Sequence, residues 1–406
     1  MSNAGLLEVK SEPPRDLDEY RMWVRAWLAE NTPQGWDEIL PFAAESDVLQ
    51  FFEDWARKLH GAGLLVAHWP TKFGGGGASV AQQLVLQEEM TFANSPRPRY
   101  LAISLGHAAA TLMEHGTPAQ QQLLDGIVAG EIWCQGFSEP GAGSDLASLR
   151  TRARREGDEY VINGQKIWSS MGLYAKWGLL LARTDPDAPK HRGISIFILD
   201  MQSPGVEVRP IRQATGAQEF AEVFLTDVRI PADRLIGDEN NGWKIAQTTL
   251  STERYSQMIE LQEGLRSLVS KLAEESASID DGGRPLSTND AFRKELARFA
   301  GEVEVLGLMN DRVLSELAAG NDPGAAGSVL KLFFSQLLQE LTAFGVRSTG
   351  LAAHIDPQRK NDISYTSGDW MLDHIRSWTW TIAGGTSEIQ RNIIGERLLG
   401  LPREPK

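Results

Sequence analysis

Along the 406 residues the apolar positions change period twice, and that switch constrains the fold more than any other feature. Leu17, Tyr20, Val24 and Trp27 recur three and four apart, as do Val48, Phe52, Trp55 and Leu59, so each set makes one stripe on a helix. The middle third turns to strand-like runs. Tyr160-Val161-Ile162, Asn163-Gly164 and Gln165-Lys166-Ile167-Trp168 predict a β-hairpin, because Asn-Gly accepts the positive φ angles of a type I′ turn. Gly178–Ala182, Gly193–Asp200 and Ala221–Val228 predict further strands, with a charged loop at Thr184–Arg192. From Gly242 the helical period returns. Leu296, Phe299, Val303, Leu306, Val313 and Leu317 form one long stripe, and Leu330, Phe333, Leu337, Leu341 and Phe344 form another. Stripes of this length predict antiparallel helices in a bundle. Asp280-Asp281-Gly282-Gly283 reads as a linker, and Ser387 with Gln390 as the capping box of a last helix.

The expected fold is therefore α+β in three parts. Residues 1–131 form an N-terminal helical domain, 132–236 a small antiparallel β domain (barrel or sandwich), and 237–406 a C-terminal four-helix bundle. This order is not the alternating β–α order of a dinucleotide fold. Gly141-Ala142-Gly143-Ser144-Asp145-Leu146 begins like a dinucleotide fingerprint and then lacks its third glycine. Phe73-Gly74-Gly75-Gly76-Gly77 cannot continue a helix, and no Gly-Lys-Ser/Thr follows to make it a phosphate loop.

A formal net charge of −14 argues against nucleic acid as a partner, since a phosphate backbone would be repelled over most of the surface. The single cysteine, Cys134, excludes an internal disulfide and fits a reducing compartment. The acids Glu8, Glu12, Asp16, Asp18 and Glu19 speak against a targeting peptide, and no apolar run reaches the ~20 residues of a membrane span. A cytoplasmic bacterial enzyme is expected. No metal site is expected, because His60 and His68, like His107 and His115, are eight apart.

Six segments in order resemble the acyl-CoA dehydrogenase family from about Leu17 to Arg403. They are Trp69-Pro70 with Phe73-Gly74-Gly75, Phe137-Ser138-Glu139-Pro140-Gly141-Ala142-Gly143-Ser144-Asp145, Asn163 to Ser170, Asp227-Val228-Arg229-Ile230-Pro231, Gly237 to Lys244, and Gly385-Thr386-Ser387-Glu388-Ile389-Gln390-Arg391-Asn392. The resemblance implies FAD against the β domain. Phe137 and Ser138 on one segment and Trp168 and Ser170 on another would contact its isoalloxazine, with Thr386 and Glu388 as further cofactor contacts. Peptide N–H groups and hydroxyls suit the flavin's polar edge, and an indole suits its apolar face. Ser144 resembles a contact to the thioester's pantetheine or phosphate arm, while Arg254 and Gly384 fall at substrate-binding positions.

Dehydrogenation needs a carboxylate that removes the α-proton, within reach and with its pKa raised by burial under substrate. Many family members carry that Glu two residues before the Thr of the Gly-Thr-Ser motif; this chain has Gly384 there, preceded by Ala383. A second family arrangement places the Glu on a C-terminal helix directly before an Arg. Leu250-Ser251-Thr252-Glu253-Arg254 matches it, so Glu253 is the expected base.

Family homotetramers reach a neighbour's FAD through Arg-x-x-Phe-Gly and Gln-x-x-Gly-Gly segments. Here Ile279-Asp280-Asp281-Gly282-Gly283 and Arg347-Ser348-Thr349-Gly350-Leu351 stand in their places. The half serving a partner's flavin has departed while the half holding the chain's own looks intact. This implies the active subunit of an α2β2 heterotetramer, as in bacterial enzymes acting on steroid side-chain CoA esters, with a homotetramer as the alternative. The implied partners are an acyl-CoA, with room for a bulky or branched chain beside Ala383 and Gly384, and an electron-transfer flavoprotein or similar acceptor. Two other readings stay open: a non-catalytic partner subunit, and a flavin oxidase or monooxygenase on the same fold.

Overall fold

The structure, a computed structural model, describes residues 13–252, 254–321, 323–354, 359, 361 and 367–403, with the side chains of 248–259 outside the description. Helices α1 (Leu17–Asn31), α2 (Trp36–Ile39), α3 (Glu45–Gly61), α4 (Val80–Phe92), α5 (Ala109–His115), α6 (Pro118–Gln121) and α7 (Leu124–Val128) come first. Strands β1 (Trp133–Gly136), β2 (Arg152–Glu156), β3 (Glu159–Ser170), β4 (Trp177–Arg183), β5 (Ile194–Asp200), β6 (Val206–Ile211), β7 (Phe220–Pro231) and β8 (Leu235–Ile236) follow. Helices α8 (Gly242–Thr252), α9 (Arg254–Glu275), α10 (Asp290–Ala318), α11 (Ala326–Thr349), α12 (Trp370–Trp380) and α13 (Ser387–Ile393) close the chain. The architecture is helical, then sheet, then helical, as the two changes of period require. No helix among the described residues is long and apolar enough to cross a membrane.

The chain divides into two compact units, one with Ala44–Ala78 and Pro96–Glu253, the other with Pro14–Ala43, Ser79–Ser95 and Arg254–Lys406. The helices of the first third are therefore shared, α3 and α5 to α7 in the first unit, α1, α2 and α4 in the second.

In the first unit all eight strands lie in one sheet, ordered β6-β7-β3-β2-β4-β5-β8 with β1 beside β4. Pairing is antiparallel except where β4 takes β1, and one residue of β2, in parallel. Period-two alternation puts Tyr160, Ile162 and Lys166 of β3 inward, alongside Phe197, Leu199, Val223 and Leu225. The expected hairpin turn at Asn163-Gly164 is not there. The β2–β3 hairpin closes at Gly157 (φ +64°) between Glu156 and Glu159, and β3 runs straight through Asn163 and Gly164. Gly164 serves close packing instead of a turn, since a Cβ there would lie 2.7 Å from the Thr151 Cα. Asn163 bonds Asp227 at a bulge of β7, accepting from its amide (2.9 Å) and donating to its carboxylate (3.0 Å).

In the second unit the expected stripes interlock. Leu261, Leu265, Leu268 and Leu272 of α9, Phe299, Val303, Leu306 and Val313 of α10, and Leu330, Phe334, Leu337 and Leu341 of α11 share one core with Trp370 of α12. Leu296, Leu317, Phe333 and Phe344 pack at its margin. On α1 the buried face is Tyr20, Val24 and Leu28, while Leu17 is exposed. Buried Glu89 of α4 takes Arg21 (2.9 Å) and Arg25 (2.8 Å) of α1; the Arg25 hydrogen bond is the largest reason its carboxyl sits below the usual range. Helix α13 does begin at Ser387, yet its cap is Thr386, whose hydroxyl accepts from the Ile389 amide. Gln390 is drawn away from a capping box to donate to the Gly384 carbonyl at 2.9 Å.

The tightest helix contact in this core is Gly345 of α11 against the buried Trp370 ring, where a Cβ would overlap the indole. Gly345→Ala gains at most about 1 kcal/mol of helix propensity. Overpacking against a buried ring costs roughly 1–3 kcal/mol, so a net loss is expected in urea unfolding. Gly301→Ala on the exposed face of α10, where a Cβ meets nothing within 4 Å, is expected to stabilise.

Candidate active site

The first unit brings Phe137, Ser138, Trp168 and Ser170 together through β1 and β3. The chain leaves β1 at Gly136, buries Phe137, and offers the Ser138 carbonyl to the Ile167 amide at 3.0 Å. Ser138 thus lies beside the residue preceding Trp168. Its amide and hydroxyl have no hydrogen-bond partner among the described residues.

Trp168 occupies an irregularity of β3. Lys166 pairs Val223 and Ser169 pairs Ala221, so β3 carries one residue more than β7. The extra residue is accommodated with Trp168 in the left-handed region, at φ +63°. A non-glycine residue pays about 1–2 kcal/mol for that conformation. The ring is 55% exposed and meets Phe220 edge-on at 6.1 Å, although large apolar side chains ordinarily seek cover. Half-buried Ser170 pairs Phe220, and Met171, also left-handed, donates its amide to the Glu219 carbonyl at 2.7 Å. An open indole face beside unpartnered donors is the donor set that a flat heteroaromatic ring with a polar edge requires, so these residues fit FAD.

Beneath this edge lies a pair that the motifs contained but the sequence reading did not single out. Lys166 is fully buried, and its ammonium donates to the Phe137 carbonyl (3.1 Å) and to Glu139 (2.8 Å). Glu139, also buried, accepts the Arg150 amide (2.6 Å) and the Thr151 amide (2.8 Å). Burial pushes the Lys166 ammonium down to about 8 against the pull of Glu139. Burial also pushes Glu139 upward, but the Lys166 charge and the hydrogen bonds outweigh it and hold the carboxyl below its ordinary range. The geometry, an ammonium 2.8 Å from a carboxylate that also accepts two amides, is that of an ion pair. A signal existed in the sequence: Lys166 shares the inward parity of Tyr160 and Ile162.

Two backbone hydrogen bonds between Glu139 and Ala142, each 3.0 Å, close the loop that leads to Ser144. Ser144 is exposed and caps no helix; the neighbouring Asp145 pairs Lys190 at 2.8 Å and bonds Ser148. In the second unit, Gly384 and Gly385 have φ of +66° and +96°. Gly385 offers its carbonyl to Lys331 at 2.7 Å. Thr386 is committed to capping α13, and exposed Glu388 pairs Arg391 at 3.3 Å. Glu253 and the Arg254 side chain lie outside the described residues; α8 ends at Thr252 and α9 begins at Arg254.

The acyl-CoA dehydrogenase N-terminal, middle and C-terminal domain families match residues 16–131, 134–228 and 240–399. Acyl-CoA dehydrogenase FadE34 of Mycobacterium tuberculosis is 40% identical over 84% of the chain, which spans only 45% of that protein's length. The ChsE4–ChsE5 complex of the same organism superposes with a TM-score of 0.80 at 32% identity, covering 97% of this chain and 99% of that one. The Tcur3481–Tcur3483 steroid acyl-CoA dehydrogenase does so with a TM-score of 0.80 at 29% identity, covering 96% and 99%. With all three domain families matched in order over most of its length, the chain belongs to the acyl-CoA dehydrogenase family.

Proposed function

We propose that this chain is the active subunit of a heteromeric acyl-CoA dehydrogenase that introduces a Cα–Cβ double bond into a bulky acyl-CoA, a steroid side-chain thioester among the candidates. The observation that carries the reading is the pairing of Ser138, with its open amide and hydroxyl, and the exposed, left-handed Trp168 beside it. FAD, when bound, accepts the hydride that leaves Cβ. Ser138, Phe137, Trp168 and Ser170 would hold its ring, with Thr386 and Glu388 as further contacts. Ser144 would meet the CoA arm, and Arg254 and Gly384 the substrate.

Glu253 would take the α-proton as a carboxylate and become a neutral acid, leaving the electron pair to form the double bond. The glycine at position 384 supplies no acid for that task and leaves room for a large acyl group. Electrons would pass onward to an electron-transfer flavoprotein or similar acceptor.

The heteromeric arrangement rests on the loop after α9. Asp280 accepts the Gly283 amide at 3.1 Å and Asp281 accepts from Asn289 at 2.8 Å, two carboxylates in the segment that the family resemblance would set against a partner's diphosphate. Two structural relatives, Tcur3481–Tcur3483 and the ChsE4–ChsE5 complex, are pairs of different chains, which supports assembly from two different chains here.

Three measurements test this reading. Anaerobic addition of acyl-CoA esters is expected to bleach the oxidised-flavin absorbance, and Glu253→Gln to slow bleaching about 10²–10⁴-fold; undiminished bleaching would remove Glu253 from the role. The complex with a related subunit is expected to hold half as many FAD as subunits, whereas one FAD per subunit in a stable complex of this chain alone would defeat the heteromer. Trp168→Gly relieves about 1–2 kcal/mol of backbone strain and loses about 0.5–1.5 kcal/mol of ring contact. Its stability is expected to stay within about 1 kcal/mol of the parent while FAD affinity falls; unchanged affinity would take Trp168 out of the cofactor site.

A further inference from the structure

The two segments assigned to the flavin ring come from separate places in the chain, and one backbone hydrogen bond, Ile167 amide to Ser138 carbonyl, joins them directly. Among the described residues, the other hydrogen bonds across their junction come from one side chain. From β3 the Lys166 ammonium reaches the Phe137 carbonyl at 3.1 Å and the Glu139 carboxylate at 2.8 Å, so it grips the residues on both sides of Ser138. Glu139 is fixed in turn by the Arg150 and Thr151 amides, at the entry to β2. The void beside Lys166, lined also by Cys134, Gly136 and Ser169, has a volume of about 10 Å³. That admits one water at most, so solvent offers the ammonium no substitute shell. Two residues after Lys166, β3 must pass through the left-handed Trp168, a conformation that persists only where its surroundings over-determine it.

We propose that Lys166 and Glu139 are positioning residues that lock Ser138 and Trp168 into the geometry that receives the flavin ring. The pair touches neither the ring nor the substrate. It fixes the spacing between a carbonyl-anchored strand end and a strained bulge, and it does so before cofactor arrives. The inference rests on the flavin reading of these segments, and part of its test is independent of flavin.

The test compares the parent with Lys166→Met, Glu139→Gln and the double variant Lys166→Met/Glu139→Gln, in the full chain co-expressed with its partner subunit where one is needed. Removing one charge leaves the other buried and unpaired, so the single variants are expected to unfold more readily; removing both is expected to restore much of the urea midpoint. Hydrogen exchange without FAD is expected to rise at least tenfold in 136–140 and 166–171 in Lys166→Met and the double variant, and to stay unchanged in 194–200 in the double variant, whose overall stability is restored. FAD dissociation constants, read by flavin fluorescence, are expected to rise at least tenfold in both. Recovery of stability without recovery of FAD affinity or local protection separates positioning from bulk stability. Lys166→Arg retains a cation and is expected to recover part of both.

Two results in the double variant overturn the proposal: exchange that rises equally in 194–200, or FAD binding like the parent's. Should the parent take up no FAD at all, the flavin reading falls, and the exchange pattern alone decides the lock, confined exchange supporting it and uniform exchange refuting it.

Discussion

A buried ammonium without water must be paired or neutral, and in the first unit that requirement organises everything around the candidate site. Lys166 points inward because β3 alternates, and β3 is central because both β2 and β7 pair with it. Once the charge is inside, Glu139 must be there to meet it, which brings the end of β1 against β3 although no ladder joins the two strands. The closed Glu139–Ala142 loop and the exposed Ser144 follow from that anchorage. Losing one member of such a pair typically costs about 3–5 kcal/mol. That exceeds the ~1–2 kcal/mol of strain in a left-handed tryptophan, so the surroundings are strong enough to impose the bulge.

Helices were legible wherever a single apolar stripe faced a single core. Val48, Phe52, Trp55 and Leu59 are all buried, as are Phe299, Val303, Leu306 and Val313. The Asn-Gly pair misled because turn chemistry is a local signal. Asn163 found a tertiary partner in Asp227, and Gly164 was wanted for its missing Cβ against Thr151. Ser387 and Gln390 failed as a capping box for a similar reason, since the carbonyl of Gly384 competes for Gln390. In each case a contact distant in sequence, or supplied by the preceding loop, outweighed a short-range preference. Short strands such as β1 and β8 lack the length for a period and went unread.

The site divides along the same line. Phe137, Ser138, Trp168 and Ser170 were legible as motif members, and the fold does bring them together where the end of β3 meets the segment after β1. What the motif did not reveal is the means: the unmatched residue in β3, the sign of φ at Trp168, and the charge pair below. A bulge is a mismatch between two strands and leaves no mark in either one alone. Thr386 and Glu388 belong to a helix cap and a surface ion pair in the second unit, which leaves their hydrogen-bonding capacity partly spent within the chain.

On the proposed reading, the two halves differ because of what each would have to hold. A site for the chain's own cofactor needs its donors left open, and Ser138 leaves them open. The loop after α9 does the reverse. Its own carboxylates turn back on Gly283 and Asn289, and Asp280 bridges Pro285, so the loop is satisfied internally and carries negative charge outward. An anion approaching that loop would meet the two carboxylates as well as the exposed Arg284 beside them. Arg347, which stands in the place of a glutamine, lies exposed beside His374 and Trp378, in a groove where Arg298 is already paired with Glu302 and Glu340. On the proposed reading, a loop carrying Asp280 and Asp281 serves a second flavin poorly, and completing this chain's own site would fall to a different subunit.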